Sequence, residues 1–286
     1  MPKVRRALEQ LLDGRDLDDN IVPAALVNSW ARTSTLGLQP SDSTFASLAP
    51  GRHEAKRLAD QHRQLIALTS GHAQALHKSL PNSPEWVVLC ISTEGLIVHG
   101  VGCRMTAPRL LQAALQVGRS VQEAEIGTTA ASCALAENSI QVVMGEEHYL
   151  NELNPLICAA VPFCAPDGTV AGVLDVSGVG FDMEASVVER LMRTTRQIEN
   201  DLIHQLAGHT VIGINDDPRL LGTAYEGLIA LNEASQTCYL NARARSHFGI
   251  EKWGQGPIPV ERLFGAERVE TLDFRTHLRS ADQANP

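Results

Sequence analysis

Apolar positions change period several times along this chain, and each change marks an element. Between His53 and Leu80, Leu58, Leu65, Ile66, Leu68, Ala73, Leu76 and Leu80 recur at the spacing of one helical face. Pro81-Asn-Ser-Pro84 stops that pattern, and Glu85–Ile91 follows as a continuous run of buried-strand type. Thr93-Glu-Gly95 turns the chain, and Leu96–Val98 returns as a partner strand. Pro108–Val117 reads as a helix, and Gly127 with Thr128 as a relaxed turn and cap opening another. Ile140–Met144, Ile157–Phe163 and Val170–Val176 are strand runs, the last two joined by a hairpin at Asp167-Gly168. This order predicts an α+β fold, a mixed sheet flanked by helices.

The two ends differ from this middle. In the N-terminal helical segment, 1–52, Pro23 suits a first helical turn, and Leu26, Val27 and Trp30 make one apolar stripe. Gly37–Pro50 reads as a loop. Met183–Leu206 is a polar helix with Val187, Leu191, Thr194, Ile198, Leu202 and Leu206 at spacings of three and four. Such a line suits either a seam between two subunits or a helix packed within its own chain. After Gly208, Gly227–Leu231 and Cys238–Leu240 read as strands, Asn241–Phe248 as a helix stopped by Gly249, and Val260–Phe264 as a helical turn. Gly254–Pro257 reads as a loop and Ser280–Pro286 as a fraying tail. That predicts a smaller α+β unit with too few strands to close a sheet. The expected division is 1–52, a sensor domain over 53–182, a connecting helix over 183–208 that is a candidate coiled coil, and 209–286.

Composition narrows the functional classes. The net charge of −9 over 286 residues argues against broad nucleic-acid binding by this chain, because phosphate contacts need clustered Lys and Arg. No apolar run approaches the length of a membrane span, so the expectation is a cytoplasmic protein. Aromatics are only 4%, so the cores must be built from aliphatic residues. The six cysteines, Cys90, Cys103, Cys133, Cys158, Cys164 and Cys238, lack the close pairing of a zinc site. His99 with Cys103, or Cys158 with Cys164, are the pairs from which a metal or redox sensor could start, and no cofactor is expected.

Catalytic patterns are missing. There is no Gly-x-x-x-x-Gly-Lys-Ser/Thr phosphate loop, and Gly178-Val-Gly180 lacks the fingerprint of a dinucleotide site. Glu146, Glu147 and His148 stand together, but a metalloprotease helix needs two His, so local capping or ligand contact is expected there. Glu123 and Glu125 diverge on a helix, and Ser177 lacks the Gly-x-Ser-x-Gly context of a nucleophile. The expectation is a protein that is not an enzyme.

Several boxes in order carry a resemblance. Ser29-Trp-Ala-Arg32 and Gly37-Leu-Gln-Pro40 resemble the opening of the sensor region of sigma-54-dependent transcriptional activators of the acetoin-catabolism type. Glu125–Ala130, Gly145–Tyr149, Ala159–Pro162 and Gly172–Gly178 resemble successive boxes of that family's GAF domain, with Thr129 where the family usually has Asn. Arg219–Gly222, Glu226–Leu231 and Asn241–Ala244 resemble the PAS domain that follows. The resemblance implies a GAF-like sheet flanked by helices, a long connecting helix and an incomplete PAS-like unit. The family continues into an ATPase domain and a helix-turn-helix, which this chain does not accommodate. The sequence thus resembles a truncated product, an excised piece or a free-standing sensor. RNA polymerase with sigma-54, and DNA, would be met only through those further domains.

The resemblance implies a homodimer that binds a small organic effector in the GAF cup and signals through the connecting helix. Alternation assigns the cup wall to Val87, Leu89, Val142, Met144, Val161, Phe163 and Val173, with polar contacts from His99, Thr128 and His148. Two other readings stay open: a dimerisation or protein-interaction module without ligand, and a Cys/His redox or metal sensor.

Overall fold

The computed structural model describes residues 2–15, 22–43, 51–81, 85–103, 107–180, 182–250 and 257–264. The expected loop over 44–50, the stop at 82–84, the loop at 254–256 and the tail at 280–286 lie outside the described residues. The chain divides into two compact units, Met1–Cys164 with Val170–Ile198, and Glu199–Pro286 with Ala165–Thr169.

The first unit is built on five strands, β1 (Trp86–Ile91), β2 (Ile97–Val101), β3 (Gln141–Met144), β4 (Leu156–Cys164) and β5 (Val170–Val179), in the order β2-β1-β5-β4-β3. Every pairing is antiparallel, so the sheet is not mixed as expected. The α+β reading stands. β5 is the middle strand, and its interior is buried on both faces, which is why its sequence runs apolar with little alternation.

Side-chain alternation splits the sheet into two faces. One face carries Val87, Leu89, Ile91, Val143, Cys158, Ala160 and Val173. These join one core with residues of α1 (Pro2–Leu12), α2 (Ala24–Thr35), α5 (Arg109–Ala114), α6 (Glu123–Ile126) and α7 (Ala130–Glu137). We call this the inner face. The outer face carries Val88 and Cys90, and Thr69 of α4 (Arg63–Ser79) donates to the Cys90 sulfur at 3.2 Å. The single helix expected from His53 to Leu80 is two, α3 (Arg52–Gln61) and α4, broken at His62, whose φ of −97° and ψ of 23° leave the helical region.

The helix cap also differs from expectation. Thr129, not Thr128, is the N-cap of α7: its hydroxyl accepts from the Ser132 N–H at 3.1 Å, and the Ser132 hydroxyl accepts from the Thr129 N–H at 2.8 Å. Gly127 sits at φ +66°, and a Cβ there would come within 2.9 Å of the Tyr149 Cβ, so both conformation and space demand glycine. Thr129→Ala removes the cap and is expected to lower stability by about 1 kcal/mol, read as a lower urea midpoint at unchanged slope.

The helix predicted over Met183–Leu206 is α8, Ala185–His204. Its buried positions are Val187, Leu191, Thr195, Ile198, Asn200 and Ile203, while Thr194, Leu202 and Leu206 are half-buried. A subunit seam along this line would first have to uncover Val187, Leu191 and Ile198, which are fully buried in a single chain.

In the second unit, β6 (Thr210–Ile214), β7 (Gly227–Leu231), β8 (Gln236–Leu240) and β9 (Ile258–Pro259) form an open antiparallel sheet in chain order. β6 escaped the sequence reading because Gly213 interrupts a run of only five residues, none of them fully buried. α9 (Ala242–His247) is capped by Asn241, which accepts from the Ala244 N–H at 2.8 Å. α10 (Glu261–Phe264) follows β9. The last turns of α8 pack here: Ile203 meets Leu228 and Ala230, and the Asn241 amide donates to Asn200 Oδ1 at 2.9 Å.

Candidate functional site

The strand β5 carries one charge into the sheet's interior. Asp175 is 2% exposed and lies on the inner face, with Leu89 of β1 opposite it on one side and Ala160 of β4 on the other. Both neighbours are apolar, so burial pushes the carboxyl up to about 7 against a partly offsetting hydrogen bond from Ser177. Two residues along the same face, the Ser177 hydroxyl lies 2.6 Å from Asp175 Oδ1 and 3.2 Å from the Cys158 sulfur. The Cys158 thiol is itself pushed up by burial, then by the neighbouring Asp175 charge. No ion pair to Asp175 exists among the described residues. A buried carboxyl without a cation costs stability and is retained most readily where it has work to do.

The edge of this core is held by α2. Leu26, Ser29, Trp30 and Thr33 form its buried face, so Val27, expected on that stripe, is only half-buried. Arg32 clasps Glu123 at 2.7 and 2.9 Å and reaches Glu137 at 3.0 Å. Its guanidinium is therefore held well above its ordinary range, first by the Glu123 hydrogen bond. The Ser29 hydroxyl bonds both Glu123 and Thr128, and the Trp30 indole donates to the Glu147 carbonyl at 2.9 Å. Glu147 does the capping expected of its cluster, accepting from the Met144 N–H at 2.7 Å, while burial raises its carboxyl.

The ten residues assigned to the cup by alternation do not share one surface. Val87, Leu89 and Val173 lie on the inner face with Asp175. Val142, Met144, Val161, Phe163 and His99 lie on the outer face, in register with Ala159, Ile157, Leu174, Gly172 and Cys90. Thr128 and His148 sit in two loops joined by the Tyr149 N–H to the Thr128 carbonyl at 3.4 Å. His148 is fully buried, with Nδ1 3.0 Å from the Gly145 carbonyl and, among the described residues, no partner for Nε2, and burial lowers it to about 4. Burial lowers His99 also. An open groove of about 200 Å³ lies apart from all ten, lined by Gln61, His62, Leu65, Ser92, Glu94 and Ala171 among others.

Asp175 and Ser177 were absent from the sequence assignment, although a signal existed. A lone carboxylate inside Gly172-Val-Leu-Asp-Val-Ser-Gly178, a strand otherwise built for burial, is a buried charge by pattern alone.

None of the six cysteines is in a disulfide, and burial holds Cys90 and Cys133 up at about 11. Among the described residues no three of His, Cys, Asp and Glu are grouped to hold a metal ion, and no helix is long and apolar enough to cross a membrane.

Comparison with known proteins gives the chain its relatives. The family model described as MimR, N-terminal domain, matches residues 2–199. The propane 2-monooxygenase operon transcriptional activator MimR of Mycolicibacterium goodii is 27% identical over 175 residues, 60% of this chain and 28% of that protein. The acetoin dehydrogenase operon transcriptional activator AcoR of Bacillus subtilis (strain 168) is 26% identical over 255 residues, 83% of this chain and 40% of that protein. The chain thus spans well under half the length of these curated relatives. Among solved structures, DhaR(N) in the E. coli DhaR(N)-DhaL complex shares the fold, with a TM-score of 0.57 and 15% identity over 84% of this chain and 81% of that one. With its GAF-like sheet and those relatives, the chain belongs to the MimR N-terminal domain family, a sensor region of transcriptional activators of the acetoin-catabolism type.

Proposed function

We propose that this chain is a ligand-sensing regulatory module of a sigma-54-dependent activator, and that its effector binds at the inner face of the GAF-like sheet. The observation that carries the reading is Asp175, a buried carboxyl with one occupied oxygen and apolar neighbours on both flanking strands. Val87, Leu89 and Val173 supply the wall. The loops of Thr128 and His148 border the core, and α2 grips them through Ser29 and Trp30, so occupancy of the site would be felt at the clasp. In this reading the chain works as 1–52, 53–182, 183–208 and 209–286, with the PAS-like second unit reading the connecting helix through Asn200 and Asn241. A homodimer would pair through a surface other than the covered stripe of α8. In the complete activator the output is restraint or release of an ATPase that acts on the sigma-54 polymerase. Effector must therefore bind one state better; a hundredfold shift needs about 2.7 kcal/mol of differential affinity.

The test is thermal denaturation with a panel of small alcohols, ketones, diols and aromatics. A true effector at about a hundred times its Kd adds about 2.7 kcal/mol and raises the melting temperature measurably. A blank panel counts against sensing. A second reading, docking of a partner protein, is favoured by the DhaR(N) neighbour, which was solved with DhaL bound.

A further inference from the structure

We infer that the open groove between α3, α4 and the β1–β2 turn is a second binding site, apart from the sheet's inner face, and that it holds a small protonated primary amine against Glu94. The inference does not depend on the effector site proposed above, because no residue of the groove belongs to the assigned cup. At about 200 Å³ the groove is smaller than a drug-sized pocket and suits a ligand of a few carbon atoms.

One wall comes from the helix pair, with Gln61, His62, Gln64 and Leu65, and the other from the turn, with Ser92 and Glu94. The turn is fixed at its backbone: the Gly95 N–H donates to the Ser92 carbonyl at 3.0 Å, and the Gln122 amide to the Glu94 carbonyl at 2.7 Å. The Glu94 carboxyl is held below its ordinary range by the Ser92 hydroxyl first and then by its own backbone N–H, so it is a carboxylate at neutral pH. Its charge has no Lys or Arg paired to it among the described residues, and Arg63, close by in sequence, is engaged with Asp60 at 3.1 Å. On the helical wall His62 interrupts the helix, and its buried Nε2 has no partner among the described residues. The groove thus carries one negative charge and polar groups that the fold itself leaves unused.

Five classes of ligand can be compared on those walls. An anion is repelled by Glu94. A neutral alcohol has one proton to give and gains nothing from the charge. A divalent metal ion would find one carboxylate there, and among the described residues no three of His, Cys, Asp and Glu are grouped to hold one. A guanidinium presents its donors in one plane, matched to a single carboxylate edge, and leaves the Gln61 and Gln64 amide oxygens on the other wall out of that plane. An ammonium directs three donors to different sides, one to Glu94 and the others to amide oxygens of the helical wall, while its alkyl chain lies on Leu65.

Amide NMR spectra of the whole chain at about pH 8, where a primary amine is protonated, test this with n-butylamine, n-butanol, butyrate and n-butylguanidine at matched ionic strength. The amine is expected to shift the amides of residues 61–65 and 92–95, to leave Val173 and Asp175 unmoved, and to bind at least about fivefold more tightly than the alcohol, with the guanidine weaker than the amine. Glu94→Gln keeps the shape of an exposed side chain and is expected to weaken the amine at least about fivefold. Glu189→Gln, at an exposed position on α8 outside the groove, is expected to leave affinity within about twofold. The spectrum of each variant also reports that it folds. Equal losses in the two variants would mean diffuse attraction by the net charge of −9 and overturn the inference. Shifts centred elsewhere, or none with the amine, overturn it too. Tighter binding of the guanidine, or Zn2+ or Mg2+ saturating the same amides at lower concentration than the amine, leaves a site but overturns the class assigned to it.

Discussion

Asp175→Leu is expected to stabilise the chain by about 2–4 kcal/mol near pH 8, and the gain is expected to vanish by about pH 4. The folded-state carboxyl sits at about 7 against an ordinary 3.8. The folded chain therefore holds a proton that the unfolded chain releases. Its contribution is fully favourable below 3.8 and is lost as pH rises through about 7. At about 1.4 kcal/mol per tenfold of proton affinity the loss is roughly 4 kcal/mol, and the lower end of the range allows for the Ser177 hydroxyl losing an acceptor. Leucine removes that cost wherever the carboxylate is ionised and gains nothing where it is protonated.

His148 makes the experiment sharper, because it titrates with the opposite sign. Its folded value of about 4 lies below the ordinary 6.5, so its contribution is present above 6.5 and lost as pH falls toward 4. In the unaltered chain, acidification from 6.5 to 4 thus gains from Asp175 what it loses at His148. In Asp175→Leu only the loss remains, and the acid limb should steepen. Urea midpoints at three pH values across this span read both effects. A variant gain that is constant with pH, or a loss at pH 8, would mean that the carboxyl is not paying a burial cost.

The same residue shows what the sequence made legible. Strand runs such as Glu85–Ile91 and Val170–Val176 were recoverable because central strands buried on both faces read as unbroken apolar stretches. That very property hid the site. Where both faces are apolar, alternation cannot say which face a residue joins, so Val161 and Phe163 were grouped with Val87 and Leu89 across the sheet. Face membership is fixed by register, set by pairings such as Leu89 with Asp175 that are distant in the chain. The cap was misassigned by one residue for a local reason. Thr128 and Thr129 are chemically alike, and only the extended backbone of Thr129, with φ −136° and ψ 167°, aims its hydroxyl at the helix. Thr128 is instead turned to Ser29, a contact across 99 positions of sequence. The clasp of Arg32 by Glu123 and Glu137 was likewise beyond reach, since its members lie on three helices.

Trp30→Ala is expected to cost about 3–5 kcal/mol, whereas Arg32→Ala should cost about 1 kcal/mol or less, although Arg32 makes the more conspicuous contacts. The Arg32 side chain is 39% exposed, so solvent screens its pairs with Glu123 and Glu137 and competes for both carboxylates. Trp30 is fully buried in the core shared with Leu26, Ile126 and Tyr149. Alanine there leaves a cavity and strips the Glu147 carbonyl of its indole donor. Trp30→Phe separates the two terms, since it keeps most of the buried area and loses the hydrogen bond; an intermediate cost of about 1–2 kcal/mol is expected. The Glu147 carbonyl precedes His148, so if α2 is a clasp on the site, effector affinity should fall in Trp30→Ala and hold in Arg32→Ala. Measured urea stabilities that rank the two variants the other way would make the ion pair, and not the buried ring, what fastens α2 to the sheet's inner face.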